Sequence, residues 1–99
     1  MLEGRGRLRL ADGEHPFRAG DFIAAPAGGV ETAHQIINYS DQPLTYLCVS
    51  TMIEPEVVQY PDSGKLGAMA GAAPGGAKGG RTLFWFGKTG EGCGYWDGE

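Results

Sequence analysis

The chain has 99 residues, of which 41% are hydrophobic and 20% are charged, and its formal net charge is −4. This length and composition suit one globular domain, and the negative charge argues against a nucleic-acid surface, which needs clustered cations. No apolar run reaches the roughly 20 residues that a membrane span needs, and the first residues lack the apolar segment of a signal peptide. We therefore expect a cytoplasmic protein with neither a nucleic-acid partner nor a membrane partner.

The first half of the chain predicts short strands separated by turns. Eighteen glycines and six prolines punctuate the sequence and argue against a helical bundle. Asp12-Gly13 marks a tight hairpin, and Pro16 places the return strand at an edge or a strand end. Five short strands without a helical period predict an antiparallel all-β sandwich or barrel. These strands cover residues 5–10, 14–18, 22–25, 33–38 and 44–50.

The second half has a different character. Residues 52–61 predict an extended arm or a short strand, and residues 67–80 are so rich in glycine and alanine that we expect a mobile loop. Residues 82–86 form the strongest late strand, and the aromatic pair Tyr95-Trp96 could dock on the body of the fold or on a neighbour. The predicted organisation is a β core over 1–60, a flexible Gly/Ala/Pro-rich loop over 61–81 and a C-terminal strand with its aromatic tail over 82–99.

One segment carries a family motif. Gly20, Pro26, Gly28, His34 and Asn38 follow the order of the second conserved motif of cupins, G(x)5PxG(x)2H(x)3N, which this segment resembles. The departure is the stretch 29–33, in which five residues replace the usual two. The resemblance implies a cupin-type jelly-roll β-barrel or sandwich, followed here by a glycine-rich C-terminal extension.

The resemblance also implies a metal site that this chain supplies only in part. Residues 2–6 resemble the end of the family's first motif, G(x)5HxH(x)3-4E(x)6G, with Gly4 as its closing glycine. The glutamate and both histidines of that motif would fall before Met1, so we expect an N-terminally truncated barrel. In the family, three histidines and a glutamate hold a divalent transition metal such as Mn, Fe, Ni, Cu or Zn. His34 alone maps onto a ligand, and we expect the metal to be absent from this chain.

For several other residues, a structural or solvent-exposed role is favoured over a functional one. Arg5, Arg7 and Arg9 share one strand face and could receive a phosphate or a carboxylate, but a solvated face that discourages edge pairing is favoured. We expect His15 to be exposed, Cys48 to be a buried inert thiol and a disulfide to be absent. The aromatic residues 84–86 are expected to pack in a core or an interface rather than to line a ligand pocket.

These observations predict a cupin-like domain that binds a small polar molecule and does not catalyse a reaction on its own. The candidate pocket residues are His34, Gln35 and Asn38. One alternative is a metal-dependent enzyme, similar to sugar-phosphate isomerases or oxygenases, whose site is completed across a dimer; the tail from residue 51 resembles the sugar-phosphate-isomerase-like subgroup. Another alternative is a structural oligomerisation domain. Because missing strands would leave sheet edges exposed, we expect a homodimer.

Overall fold

The protein consists of two compact β units. The computed structural model describes residues 1–73 and 75–99, which divide into a first unit, Met1–Ser50, and a second unit, Thr51–Glu99. Each unit contains one three-stranded antiparallel sheet, and the described residues contain three short 3-10 turns but no α-helix. The all-β prediction is confirmed, and the two antiparallel sheets are consistent with a jelly-roll type fold. No helix in the described part of the chain is long and apolar enough to cross a membrane.

The sheet of the first unit has the order β2-β1-β3. Its strands are β1 (Arg5–Leu10), β2 (Gly13–Arg18) and β3 (Gln35–Ile37). Leu10 pairs with Gly13, so the predicted hairpin is confirmed, and Gly13 takes a positive φ of 128° that suits glycine. Pro16 lies on β2, which is an edge strand, as its missing N–H requires.

Two predicted strands of the first unit are absent. Residues 22–25 form no strand, and over residues 44–50 only Thr45 pairs, in an isolated bridge with Glu3. Phe22 is 93% exposed and Val49 is 92% exposed. An apolar run becomes a strand only where a neighbouring chain segment satisfies its backbone groups in a ladder, and within the described residues the bridge at Thr45 is the only strand pairing that these two segments form.

The sheet of the second unit is a meander with the order β4-β5-β6. Its strands are β4 (Glu56–Tyr60), β5 (Lys65–Ala70) and β6 (Leu83–Lys88). Gly64, with a φ of 67°, closes the turn between β4 and β5 by donating its N–H to the Tyr60 carbonyl at 3.0 Å. Met69 on β5 is only 5% exposed, and Ala72 and Ala73 just beyond the strand are buried with it.

The second unit differs from the predicted organisation. Strand β5 lies inside the segment 61–81 that was expected to be a flexible loop, and the division between the units falls after Ser50 rather than at residue 60. The glycine content misled the prediction because Gly67 is a packing position. A Cβ on Gly67 would lie 2.5 Å from the Phe86 ring, which covers the strand there. Pro74, part of the same predicted loop, lies outside the described residues.

The last strand of the chain agrees with the prediction. The predicted strand 82–86 is confirmed as β6, shifted toward the C-terminus. Beyond it, Tyr95 and Trp96 pack edge to face on each other, with ring centroids 4.8 Å apart, and both side chains remain largely exposed. Docking of this pair on a neighbouring molecule therefore stays a prediction.

Candidate functional site

His34 lies at the rim of a pocket in the first unit. This His34 pocket has a volume of about 330 Å³ and is lined by residues 10–12, 23–26 and 31–34. The end of β1 and its hairpin supply one wall, and the irregular segment 23–26 supplies an apolar wall of alanine, isoleucine and proline. Residues 23–25 of the predicted strand 22–25 therefore form part of a pocket wall and are not in a strand.

The stretch that departs from the family motif shapes this pocket. Residues Val30–Thr32 form a 3-10 turn, in which the Thr32 hydroxyl donates to the Gly29 carbonyl at 2.9 Å. The Gly29 N–H donates to a Glu31 carboxylate oxygen at 3.0 Å. Hydrogen bonds from the backbone N–H groups of Glu31 and Gly29 lower the pKa of the Glu31 carboxyl, which keeps it charged at the pocket wall.

A second carboxylate reaches the pocket from the hairpin turn. Asp12 contacts His15, with 2.8 Å between the carboxylate Oδ1 and the imidazole Nε2. This hydrogen bond lowers the pKa of Asp12. His15 itself is exposed, as predicted. The pocket therefore combines an apolar wall with a few polar residues: Asp12, Glu31, Thr32 and His34.

The other two predicted pocket residues lie elsewhere. Gln35 on β3 accepts a hydrogen bond from the Arg9 guanidinium at 3.2 Å. Asn38 closes the following turn, because its amide donates to the Gln42 carbonyl at 2.7 Å and its oxygen accepts from the Ser40 N–H at 2.9 Å. Of the three predicted residues, only His34 is among those that line the His34 pocket.

The described residues do not fit a divalent metal centre. Within 1–73 and 75–99, no three His, Cys, Asp or Glu side chains lie close enough together to hold a metal ion, whereas protein metal sites generally need at least three such ligands. The two cysteines, Cys48 and Cys93, are free and exposed. The prediction that Cys48 is buried is wrong, because the segment that contains it forms no paired strand.

Sequence reasoning missed Arg18 and Tyr39, which line a second, larger pocket in the first unit. This arginine pocket has a volume of about 410 Å³, and its walls include Arg5, Arg7, Arg18 and Tyr39. Arg5, Arg7 and Arg9 share one face of β1, as predicted, and the hairpin register places Arg18 directly opposite Arg5. Counting back across the two-residue turn at 11–12 would have found Arg18, since that turn fixes the register of both strands.

A comparison with known proteins identifies the family to which the first unit belongs. The family model described as a cupin domain matches residues 1–50, which is just over half of the chain and the whole of the first unit. No curated protein and no solved structure matches the chain. The matched segment contains the glycine-proline-glycine turn and His34 of the second cupin motif, together with the sheet that positions the His34 pocket. The chain therefore belongs to the cupin domain family.

Proposed function

We propose that this protein is a cupin-type domain that binds a small polar molecule in the His34 pocket. The observation that carries the proposal is the composition of that pocket, in which an apolar wall faces a few polar side chains in a volume of about 330 Å³. Small-molecule sites typically have this composition and a volume of roughly 300 to 1,000 Å³. The imidazole of His34 can donate or accept a hydrogen bond, while Asp12 and Glu31 accept only.

The polarity of the pocket favours a ligand with hydrogen-bond donors. Two carboxylates with lowered pKa values lie along its walls, so the pocket is acceptor-rich at neutral pH. A neutral polyol or an amine fits that character better than an anion does, because an anion would face like charges.

Binding can be tested with a library of small polyols and amines, followed by isothermal titration calorimetry of the tightest binder. We expect His34→Ala to weaken that binder about tenfold, the effect of losing a hydrogen bond worth roughly 1 to 1.5 kcal/mol. The matched control is His15→Gln, which removes the other imidazole of the chain but keeps a hydrogen-bond donor beside Asp12. Equal affinities for the wild type and His34→Ala would contradict the proposal.

The enzyme alternative predicts a different result. A metal-dependent site completed across a dimer would bind Mn²⁺, Fe²⁺, Ni²⁺ or Zn²⁺ stoichiometrically, and His34→Ala would abolish that binding. The described residues of one chain do not assemble such a site, so binding without metal remains the proposal. The resemblance of the tail to the sugar-phosphate-isomerase-like subgroup stays a prediction.

We also propose that the protein is a homodimer. Exposed apolar side chains support this, among them Phe22, Val49 and Trp96, because large exposed apolar groups favour association. Size-exclusion chromatography with light scattering should give twice the 10.4 kDa mass of the chain. A monomer at micromolar concentration would contradict this part of the proposal.

A further inference from the structure

The cations of the first unit are concentrated on one hairpin. Every arginine and lysine of residues 1–50 is an arginine on β1 or β2, namely Arg5, Arg7, Arg9 or Arg18. The chain as a whole is acidic, with a net charge of −4. The positive charge of this hairpin is therefore a local feature that composition does not explain.

Two of these arginines face each other without an acidic partner. Arg5 pairs directly with Arg18 across the antiparallel strands, and side chains at such positions lie close together, about 4.5 to 5.5 Å apart at Cβ. Like charges directly opposite each other are destabilising. Within the described residues, neither guanidinium has a hydrogen-bond or ion-pair partner, and Asp21 accepts from the backbone N–H of Arg18 rather than from its side chain.

Glu14, the acidic residue on the same hairpin, contacts a different arginine. One oxygen of Glu14 accepts from the Tyr39 hydroxyl at 3.0 Å, and the other lies 3.7 Å from Nε of Arg7. Arg7 also donates to the Glu14 carbonyl at 3.4 Å. These contacts hold Arg7 and Tyr39 at the wall of the arginine pocket, and they leave the guanidinium groups of Arg5 and Arg18 as its uncompensated charges.

We propose that the arginine pocket is an anion site that binds the doubly charged oxyanion group of a small molecule, a phosphate ester or a dicarboxylate. Two guanidinium groups on neighbouring strands present a fork of N–H donors that matches the oxygens of such a group. A bound dianion would also remove the repulsion between Arg5 and Arg18. Gly6, Pro16 and Phe17 also line this pocket, and these nonpolar residues suit the carbon portion of the ligand.

The test is calorimetric titration of the full chain with inorganic phosphate and, separately, with malonate, at low ionic strength because the arginines are exposed. We expect saturable binding of at least one anion, and the tighter of the two identifies the group that the site prefers. Arg5→Gln and Arg18→Gln should each weaken that anion about tenfold, as expected for one lost charge-assisted hydrogen bond. Circular dichroism spectra of the variants establish that they are folded.

The matched control is Arg9→Gln, because Arg9 shares the strand and the face but not the pocket. It removes the same charge and should change the affinity by less than about twofold. Equal weakening by all three variants would show general electrostatic attraction and overturn the proposal. The absence of saturable binding of both anions would overturn it too.

If a glutamine variant unfolds, Arg18→Lys serves in its place, because lysine keeps the positive charge but lacks the planar guanidinium with its several N–H donors. An unchanged affinity in that variant would exclude the proposed geometry. His34→Ala should leave anion binding intact, so the anion site and the function of the His34 pocket are tested independently of each other.

Discussion

The two units reach the same secondary structure from very different sequences. The first unit, which contains the cupin match, alternates arginines with apolar residues on β1 and carries two pockets. The second unit lies outside the residues matched by the cupin model and packs Met69 and two alanines beside a strand, β6, that carries three aromatic side chains. The polar first unit is therefore organised around pockets, whereas the glycine-rich second unit is organised around side-chain packing.

Glycine has two roles in this protein, at turns and at close-packed positions within strands. In the first unit, Gly13 and Gly20 take positive φ angles at turns, and a Cβ on either would meet nothing within 4 Å. In the second unit, Gly67 lies within a strand under the Phe86 ring. Glycine therefore forms turns and also permits close packing within a strand, and composition does not distinguish these two roles, which is why composition alone misjudged residues 61–81.

The largest effect should come from the core of the first unit. Phe17 is 4% exposed and lies edge to face with Tyr46, with ring centroids 6.5 Å apart. Phe17→Ala should lower the free energy of unfolding by about 3 kcal/mol, as truncations of buried phenylalanine do. The matched control is Phe22→Ala, which should change it by less than about 0.5 kcal/mol because Phe22 is 93% exposed. Urea unfolding followed by circular dichroism measures both effects. Equal effects would contradict the assignment of Phe17, and not Phe22, to the core of the first unit.

A slightly smaller effect should appear in the second unit. Met69→Ala removes a side chain that is 5% exposed on β5, and we expect a loss of about 2 kcal/mol in the free energy of unfolding. Val57→Ala on the neighbouring strand, at a position that is 61% exposed, should cost well under about 1 kcal/mol. If Met69→Ala were neutral in urea unfolding, residues 65–70 would be the loop that their composition predicts.

Gly67→Ala tests the packing role of glycine. The new methyl group would require the Phe86 ring to move, which should cost about 1 to 2 kcal/mol. Gly79→Ala is the control, since a Cβ there meets nothing within 4 Å, and both variants reduce the conformational freedom of the unfolded chain equally. The difference between their thermal midpoints isolates the contact with Phe86, and equal midpoints would argue against it.

The smallest effect depends on pH. The hydrogen bond to His15 lowers the pKa of Asp12, so this interaction stabilises the folded state above the ordinary pKa of an aspartate. The wild type should be slightly more stable than Asp12→Asn near pH 6, and the difference should vanish as the pH falls through the lowered pKa of Asp12. The effect is small because both side chains are largely exposed. Asp41→Asn, which removes an exposed carboxylate without a partner in the described residues, should show no such pH dependence in its thermal midpoint.

Local signals in the sequence predicted local structure well. The Asp12-Gly13 turn and the edge position of Pro16 follow from backbone chemistry that neighbouring residues determine. The strand at β6 follows from its run of aromatic residues. These features needed no knowledge of distant contacts.

Features that depend on distant contacts were harder to predict. Residues 22–25 have the composition of a strand, but 23–25 line a pocket instead, and residues 44–50 pair only at Thr45. Gln35 and Asn38 follow His34 closely in the chain, yet Gln35 contacts Arg9 and Asn38 closes a turn. A motif predicts that these residues occur together in the sequence, whereas the side of the sheet that each faces depends on strand pairing.

The central claim is that the first unit binds a small polar molecule in the His34 pocket. The most direct measurement is a map of amide chemical-shift changes in a ¹H–¹⁵N NMR spectrum when the tightest polyol or amine from the library is added. We predict that the changes concentrate in residues 10–12, 23–26 and 31–34, and that they disappear in His34→Ala. Changes concentrated on β4, β5 and β6, or unaltered changes in His34→Ala, would contradict the claim.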